Sequence, residues 1–372
     1  MSNSKTIPPS CDVVGRILAR RIAAVAAAAV ALGANAAGAF AQGFTISNLV
    51  SNQPGVAAVQ DPNLVNAWGI ALSATSPFWI NDNGTGLSTL YTGTGAILSL
   101  VVTVPPPSGS PGPSAPTGIV FNGTPDFQVT PSGPGSHFIF DTEDGTISAW
   151  GGGTAATLEV DNSTVGLGAV YKGLALISTP NGNFLLATNF RSGRIEVYDR
   201  TFHLVRSFTD HHLPPRYAPF GIANLNGTVY VTFALQDRLK HDSDAGPGRG
   251  FVDVLDTNRL SDDGLHRLIS RGALDAPWGV AVAPASFGFF AGSLLVGNFG
   301  NGWINAFDPV TGTQIGWLSD PNFNPIVIDG LWGLIPGNDH SGGSSQNIYF
   351  TAGPNGESDG LFGSISPAQP LT

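Results

Sequence analysis

The sequence predicts an all-β fold, a six-bladed β-propeller of four-stranded blades. Three observations favour this fold. A short glycine motif recurs six times, each interval between motifs has the pattern of four strands, and no segment shows the period of an amphipathic helix. Repetition of sheets around an axis protects their edges without a disulfide. A two-sheet sandwich is the structural alternative, but it does not explain six matching units.

The repeated motif is a glycine that usually follows an aromatic or apolar residue and always precedes an aliphatic one, as in Trp68-Gly69-Ile70. Its six copies are separated by 49, 55, 48, 58 and 54 residues, and the glycines are Gly69, Gly118, Gly173, Gly221, Gly279 and Gly333. Separations of this size are typical of propeller blades.

A second element follows the motif in most intervals. It is an Asn or Asp, three residues, a glycine and then a strand that alternates apolar and polar residues. An Asx residue ahead of a glycine is typical of a tight turn between two strands. The fourth interval carries an insertion before this strand, and the sixth copy is the most degenerate. Candidate fourth strands lie at residues 96–102, 156–160, 202–208, 265–270 and 313–319.

The chain ends after the third strand of the last unit, so the sixth blade lacks a strand. Residues 44–50 stand before the first glycine motif much as residues 265–270 stand before the fifth. We therefore predict that this N-terminal strand completes the sixth blade and closes the ring.

Residues 1–41 have the three zones of a secretory signal. Arg16, Arg20 and Arg21 form a basic region, residues 22–32 form an apolar core, and cleavage is predicted after Ala41, with a cut after Ala36 as the alternative. The apolar run is too short for a membrane span. The sequence thus predicts a single propeller domain over residues 42–372, exported to the periplasm or the extracellular space. Cys11, the one cysteine, leaves with the signal.

The charge of the mature chain restricts its partners. Cleavage removes four of the 16 basic residues and one of the 26 acidic residues, which leaves a net charge of −13. Such a chain repels nucleic acids and anionic lipid surfaces. Every remaining basic residue lies between Lys172 and Arg271, so an anionic partner would approach the middle third.

The strands P-[WF]-G-[IV]-A and N-F-x-x-G-x-I-x-V-[YF]-D resemble the NHL-type propeller repeat. The segments N-A-W-G-I-A, A-T-N-F and V-G-N-F-G resemble, more narrowly, an uncharacterised family of bacterial exported NHL-like six-bladed propellers. This resemblance covers almost the whole mature chain and implies the architecture. NHL-like propellers include protein-binding scaffolds, lactonases and esterases with a central calcium, and lyases, so the resemblance leaves the activity open.

Four Asx residues are candidate calcium ligands, because Ca²⁺ prefers oxygen ligands and the turns after the second strands face the side where a propeller pocket opens. These are Asp82, Asp141, Asn189 and Asn298. The alternative is that each side chain caps its own turn. The calcium-dependent relatives also carry an acidic residue just before the first strand of a blade. Here those positions hold Asn66, Pro116, Tyr171, Pro219, Pro277 and Leu331.

Other polar residues are candidate ligand contacts. Lys172 takes the place of an aromatic residue in its motif, where it could contact an anion or a carbonyl, or simply be solvated. The fourth unit adds His211, His212 and Arg216 in the link before its motif and His241 in its insertion. Histidine and carboxylate groups bind metals or transfer protons, whereas long charged insertions also occur as plain surface loops.

The aromatic residues beside the glycines have two interpretations. They could stack on a sugar in the channel or pack between the blades as core. They are Trp68, Phe220, Trp278 and Trp332.

No H-E-x-x-H or G-x-S-x-G motif occurs in the sequence. The leading hypothesis is accordingly a noncatalytic, monomeric propeller that binds a small molecule or a protein on its pocket face. The alternative is a calcium-dependent hydrolase of the lactonase or esterase type, so whether the protein is an enzyme stays open.

Overall fold

The computed structural model describes residues 43–130 and 132–368, so the predicted signal sequence lies outside the described residues. Short 3₁₀ turns lie at Asp262–Gly264 and Ala285–Phe290. The strands, in chain order, are β1 (Phe44–Ser51), β2 (Val59–Gln60), β3 (Ala67–Ala71), β4 (Phe78–Asp82), β5 (Leu87–Tyr91), β6 (Ile97–Thr103), β7 (Pro116–Phe121), β8 (Phe138–Thr142), β9 (Thr146–Trp150), β10 (Thr157–Asp161), β11 (Tyr171–Thr179), β12 (Gly182–Asn189), β13 (Arg194–Tyr198), β14 (Leu204–Phe208), β15 (Tyr217–Leu225), β16 (Thr228–Leu235), β17 (Gly250–Leu255), β18 (Leu265–Ser270), β19 (Pro277–Val282), β20 (Leu294–Asn298), β21 (Ile304–Phe307), β22 (Gln314–Trp317), β23 (Leu331–Pro336), β24 (Ile348–Ala352) and β25 (Leu361–Pro367).

The strands form six antiparallel blades, which confirms the predicted propeller. Blades one to five each take four consecutive strands, β3 to β6, β7 to β10, β11 to β14, β15 to β18 and β19 to β22. The strand that opens each blade carries the glycine motif and contacts the corresponding strands of the blades on either side. The motif strands are therefore the innermost strands, and they run in the same direction around the central axis.

The sixth blade is assembled from both ends of the described chain. β23, β24 and β25 come from the C-terminal part, and β1 pairs antiparallel with β25 from Phe44↔Pro367 to Ser51↔Leu361. This confirms the predicted closing strand. The structure adds a fifth strand to this sheet, because β2 pairs parallel with β1 at Val50↔Val59.

Close packing at the axis explains why the motif requires glycine. A Cβ atom on Gly69 would lie 2.1 Å from the carbonyl oxygen of Thr117, and one on Gly221 would lie 2.2 Å from that of Trp278. The same relation holds around the whole ring, since each motif glycine faces the motif backbone of the next blade and Gly333 returns to Trp68 of the first. These distances leave no room for a side chain.

A β-bulge accompanies every motif, and the sequence pattern did not predict it. In each blade the pairing of the first two strands shifts register across the motif glycine. The shift leaves motif backbone groups without a strand partner, and a buried polar side chain of the second strand bonds to them. Asp141, Thr188, Thr232 and Thr351 do so within their own blades, whereas Asn81 donates to the motif carbonyls of Thr117 and Gly118 in the next blade.

The hydrophobic core is divided into clusters that lie between neighbouring blades. One example joins Phe140 of the second blade to Trp79 and Leu90 of the first. A further cluster lies on the axis and consists largely of aromatic residues. It positions the polar groups described next.

Candidate functional site

An aromatic cluster fills one end of the central channel. Trp68 and Trp332 stack with their ring centroids 3.6 Å apart, and Phe299 stacks on Trp332 at 4.1 Å. Phe220 and Trp278 pack edge-on against Trp332. The motif aromatics pack against one another, which supports the interpretation that they are core residues rather than a platform for a sugar.

Lys172 lies within this aromatic environment. It belongs to β11, its side chain is 1% exposed, and its Nζ stands 4.9 Å from the centroid of the Trp68 ring. The ammonium group pairs with Glu143 Oε1 and lies 3.2 Å from Asp242 Oδ1. Its long aliphatic stem packs where other motifs place a ring, because a lysine can bury its methylene groups and keep its charge among polar partners. A cation over an indole face is attracted by the ring quadrupole.

A hydrogen-bonded network extends from this ion pair across the mouth of the channel. Asn83 donates to Glu143 Oε2 at 2.9 Å, and Asn66 donates to Asn83 at 3.1 Å and to Glu357 at 2.8 Å. Trp332 donates its indole N–H to Asn66 Oδ1 at 3.0 Å. These groups come from the turns and strand ends of the first, second and sixth blades.

The backbone of Asn66 has a φ of 48°, in the left-handed region. Asn tolerates this conformation better than most residues do. Because Asn66 is buried and bonded to three partners, the network holds the strained backbone in place.

The insertion of the fourth blade adds His241 beside the ion pair. Its Nδ1 lies 3.0 Å from Asp242 Oδ1 and 3.9 Å from Glu143 Oε1, and Asp237 accepts its backbone N–H. Ligand atoms of Glu143, His241 and Asp242 lie within 4.8 Å of one another, and this is the one group of three potential metal ligands in the described part of the chain. Trp278 of the fifth blade donates to the Lys172 carbonyl at 2.8 Å, so all six blades contribute to the mouth.

The charges at the mouth shift one another's pKa values. Burial acts to lower the pKa of Lys172, but Glu143 and Asp242 outweigh it and the pKa is raised. The hydrogen bond to Asp242 raises the pKa of His241, and the same bond holds the pKa of Asp242 well below its usual range. Burial raises the pKa of Glu357. Lys172 is therefore a charged, internally neutralised ammonium rather than a free amine.

The four candidate calcium ligands do not share one position in the fold. Asp82, Asn189 and Asn298 pair with the residue two places before their motif glycines, but in the second blade Thr142 does so. The comparison of the repeats that made Asp141 equivalent to Asp82 is therefore wrong by one residue, because the turn of the second blade is shorter. Adjacent strand residues point to opposite faces, so Asp141 turns instead to the motif.

Asp141 is fully buried and accepts hydrogen bonds from Thr117 Oγ1 at 2.8 Å and from the Gly118 amide at 2.6 Å. Burial raises its pKa to about 7. Asp82 is also fully buried, neither of its carboxylate oxygens has a hydrogen-bond partner in the described structure, and burial raises its pKa well above the usual value.

Of the two asparagines, Asn189 caps its own turn, as the capping alternative expects, whereas Asn298 holds the link that precedes the first strand of its blade. Asn189 accepts the Ser192 amide at 3.1 Å and donates to Glu196 at 2.7 Å. Asn298 accepts the Asp275 amide at 3.1 Å and donates to the Ala273 carbonyl at 2.8 Å.

The structure brings together two of the candidate ligand contacts, Lys172 and His241. The other three have different partners. His211 bonds to Asp262 at 2.6 Å, His212 lies 3.1 Å from Asp210, and Arg216 donates to the Gln236 carbonyl. All three side chains are largely exposed.

Sequence reasoning missed most of the network around Lys172. Glu143, Asn83 and Glu357 lie in turns between second and third strands; Asn83 and Glu143 follow the candidates Asp82 and Asp141 by one and two residues, and the turn of the sixth blade had no candidate. The signal was available, because these turns were already predicted on the pocket face. The prediction considered the Asx residue ahead of each turn glycine and not the residues within the turn.

No protein-family model matches the sequence. Two solved structures share the fold. A streptogramin B lyase is 12% identical with a TM-score of 0.51, over 87% of this chain and 98% of its own. A catalytically inactive virginiamycin B lyase from Staphylococcus aureus with quinupristin is 12% identical with a TM-score of 0.50, over 87% and 99%. At this identity the likeness concerns the fold alone.

Two proteins of Acanthamoeba polyphaga mimivirus, both described as uncharacterized, are similar in sequence along most of the chain. R648 is 33% identical over 336 residues, which cover 87% of this chain and 80% of R648. L690 is 32% identical over 332 residues, which cover 86% of this chain and 85% of L690. These relatives are viral, so they do not support the bacterial origin that the resemblance implied. The chain belongs to the family that includes mimivirus proteins R648 and L690.

Proposed function

We propose that this protein is a noncatalytic binding propeller whose ligand or protein partner docks over the channel mouth at Glu143, His241 and Asp242. One observation carries the proposal. Glu143, His241 and Asp242 form the one cluster of carboxylates and histidine in the described residues that could hold a metal. The Lys172 ammonium stands between the two carboxylates of this cluster. The mouth is thus organised around an internal ion pair.

The donor set of this cluster suits a divalent cation only if Lys172 leaves it. A metal here would need a carboxylate oxygen from both Glu143 and Asp242, and one oxygen of each, Glu143 Oε1 and Asp242 Oδ1, already contacts Nζ. A metal ion and an ammonium group at the same oxygens repel each other strongly in a partly buried site. The Lys172 ammonium therefore favours binding over the alternative, a calcium-dependent hydrolase of the lactonase or esterase type.

The chemistry of the mouth suggests what would bind there. Carboxylates of Glu143, Asp242 and Glu357 outnumber the single lysine, and carboxylate oxygens accept hydrogen bonds. Hydroxyl and amine groups of a ligand, or lysine and arginine side chains of a partner, would satisfy them. Asp242 is the exposed member of the cluster and His241 is partly buried beside it, where its protonation would tune the charge that a ligand meets.

The test compares Ca²⁺ binding by isothermal titration calorimetry in the wild type and in Lys172→Met, together with hydrolysis of lactones and esters. We expect no Ca²⁺ binding and no turnover in the wild type, and measurable Ca²⁺ binding once the ammonium is removed. Lys172→Arg is the matched control, since it keeps a cation at the carboxylates. Ca²⁺ binding by the wild type, with turnover that Glu143→Gln abolishes, would establish the hydrolase instead.

Export is part of this proposal and rests on the basic, apolar and small-residue zones of residues 1–41. Expression of the full chain in a secreting host should release a mature protein that begins at Gln42. Mass spectrometry of its N-terminus measures this, and a product that keeps Met1 inside the cell would refute it. No helix in the described part of the chain is long and apolar enough to cross a membrane.

A further inference from the structure

We infer that the other end of the central channel is a second binding site, which takes a small, uncharged and largely apolar molecule. The cavity there has a volume of about 340 Å³. Apart from Trp278, it is lined by residues at and after the motif glycines, from all six blades, whereas Lys172 and the motif aromatics Trp68, Phe220 and Trp332 precede those glycines. Because the innermost strands run in one direction around the axis, the cavity and the polar mouth lie at opposite ends of the channel.

The walls of the cavity define the chemistry of its occupant. Its side chains are aliphatic or aromatic apart from Asn224, and none is charged. Asn224 already donates to the Leu176 carbonyl at 3.0 Å, and its Oδ1 accepts the Gly227 amide at 2.9 Å. No side chain of the lining is therefore left to solvate a charge, and burying an unpaired charge there would be strongly unfavourable. An apolar molecule instead gains by leaving water.

The size of the cavity indicates a small molecule rather than a peptide. Its volume is at the lower end of the range that small-molecule pockets occupy. Trp278, a member of the aromatic cluster, also lines the cavity, so the cluster forms its inner end. The half-exposed Phe121 and the partly buried Val120 and Leu176 contribute to the wall at the outer ends of their strands. The cavity is thus a pocket with one aromatic floor and an aliphatic wall.

The experiment is a fluorescence titration of the wild type with N-phenyl-1-naphthylamine, an uncharged apolar probe whose emission rises in an apolar site. We expect saturable binding of one probe per chain. Val120→Lys and Leu176→Lys place a charge in the wall at partly buried positions, where a lysine can extend to water without unfolding the blade. Each should weaken probe binding at least about tenfold, because the apolar wall is interrupted.

Leu100→Lys is the matched control, since Leu100 is also partly buried but lies on the outer strand β6 and not in the cavity. It should bind the probe as the wild type does. Circular dichroism melting of all variants separates loss of the site from loss of the fold. No saturable binding by the wild type, or equal binding by Leu100→Lys and both cavity variants, would overturn the inference.

Glu143→Gln distinguishes this site from the proposed polar site. The variant alters the mouth on the other side of the aromatic cluster, so probe affinity should not change. A loss of probe binding in Glu143→Gln would show that the probe reports the polar mouth, which would also overturn the inference.

Discussion

Lys172 takes the motif position that Trp68, Phe220, Trp278 and Trp332 occupy in four other blades, and it brings a charge into an aromatic cluster. The charge is tolerated because Glu143 and Asp242 reach it from two other blades. Removing one partner of such a pair would leave a buried charge uncompensated. The sequence marked Lys172 as an exception and placed the turns on its face of the propeller, but it did not show which residues pair with it, because these lie 29 and 70 residues away.

Asp141 leads to a prediction about pH. Its pKa is raised from 3.8 in the unfolded chain to about 7 in the fold, chiefly by burial. Between these values the folded protein holds a proton that the unfolded chain has lost, so its contribution to stability falls as the pH rises from about 4 to about 7. Asp141→Thr supplies the side chain that three other blades use, at Thr188, Thr232 and Thr351, and should remove this contribution.

The measurement is the free energy of unfolding in urea at a series of pH values. Asp82 and Asp253, whose pKa values are also raised by burial, remain in both proteins, so the difference between the two curves reports Asp141. We expect Asp141→Thr to gain stability relative to the wild type as the pH rises through that window. Parallel curves would show that Asp141 does not titrate there.

At the scale of the element, the glycine motif is a packing device as well as a repeat marker. Its glycines allow each innermost strand to approach the next, its bulge frees backbone groups, and a polar residue of the second strand bonds to them. The repeat could be recognised from the sequence because the glycine is required in every blade. The bulge was not predicted, because the motif strand has too few residues on either side of the glycine for one extra residue to show as a break in the alternation.

Gly69→Ala tests this packing. The new Cβ would lie 2.1 Å from the Thr117 carbonyl oxygen, so the backbone of one blade has to shift. We expect a loss of about 1–3 kcal/mol in the free energy of unfolding, as for other overpacked interiors. Gly151→Ala is the control, because its Cβ would meet only a Val129 methyl group at 3.2 Å. Equal stability of the two variants in urea denaturation would contradict the proposed role of the motif.

At the scale of the whole molecule, stability depends on closing the ring. β1 supplies the fourth strand of the blade that β23 to β25 leave incomplete, and Phe44 is buried against Phe287 of the fifth blade with ring centroids 4.7 Å apart. The closing strand thus joins the two ends of the described chain and also contacts a neighbouring blade. The pairing of β1 with β25 thus stabilises the ring without a disulfide.

Deletion of residues 44–50 should destabilise the entire propeller and not only the sixth blade. The expected result is a single unfolding transition at a clearly lower temperature, because loss of one blade interface opens the ring. A chain that begins at Gly43 is the control. A shortened chain that melts like this control would disprove closure by β1, and a second, separate transition would show that the blades unfold independently.

The sequence by itself determined the number of blades, the closing strand and the position of the exception at Lys172, because each depends on a local pattern repeated six times. The tertiary structure decided which side chains meet at the axis. Glu143 and Asp242 meet Lys172, and Glu357 joins the same network, only because turns of the second, fourth and sixth blades converge when the ring closes. The tertiary structure also decided that the Asp141 side chain points toward the motif, since a one-residue change in turn length reverses the face of a strand residue.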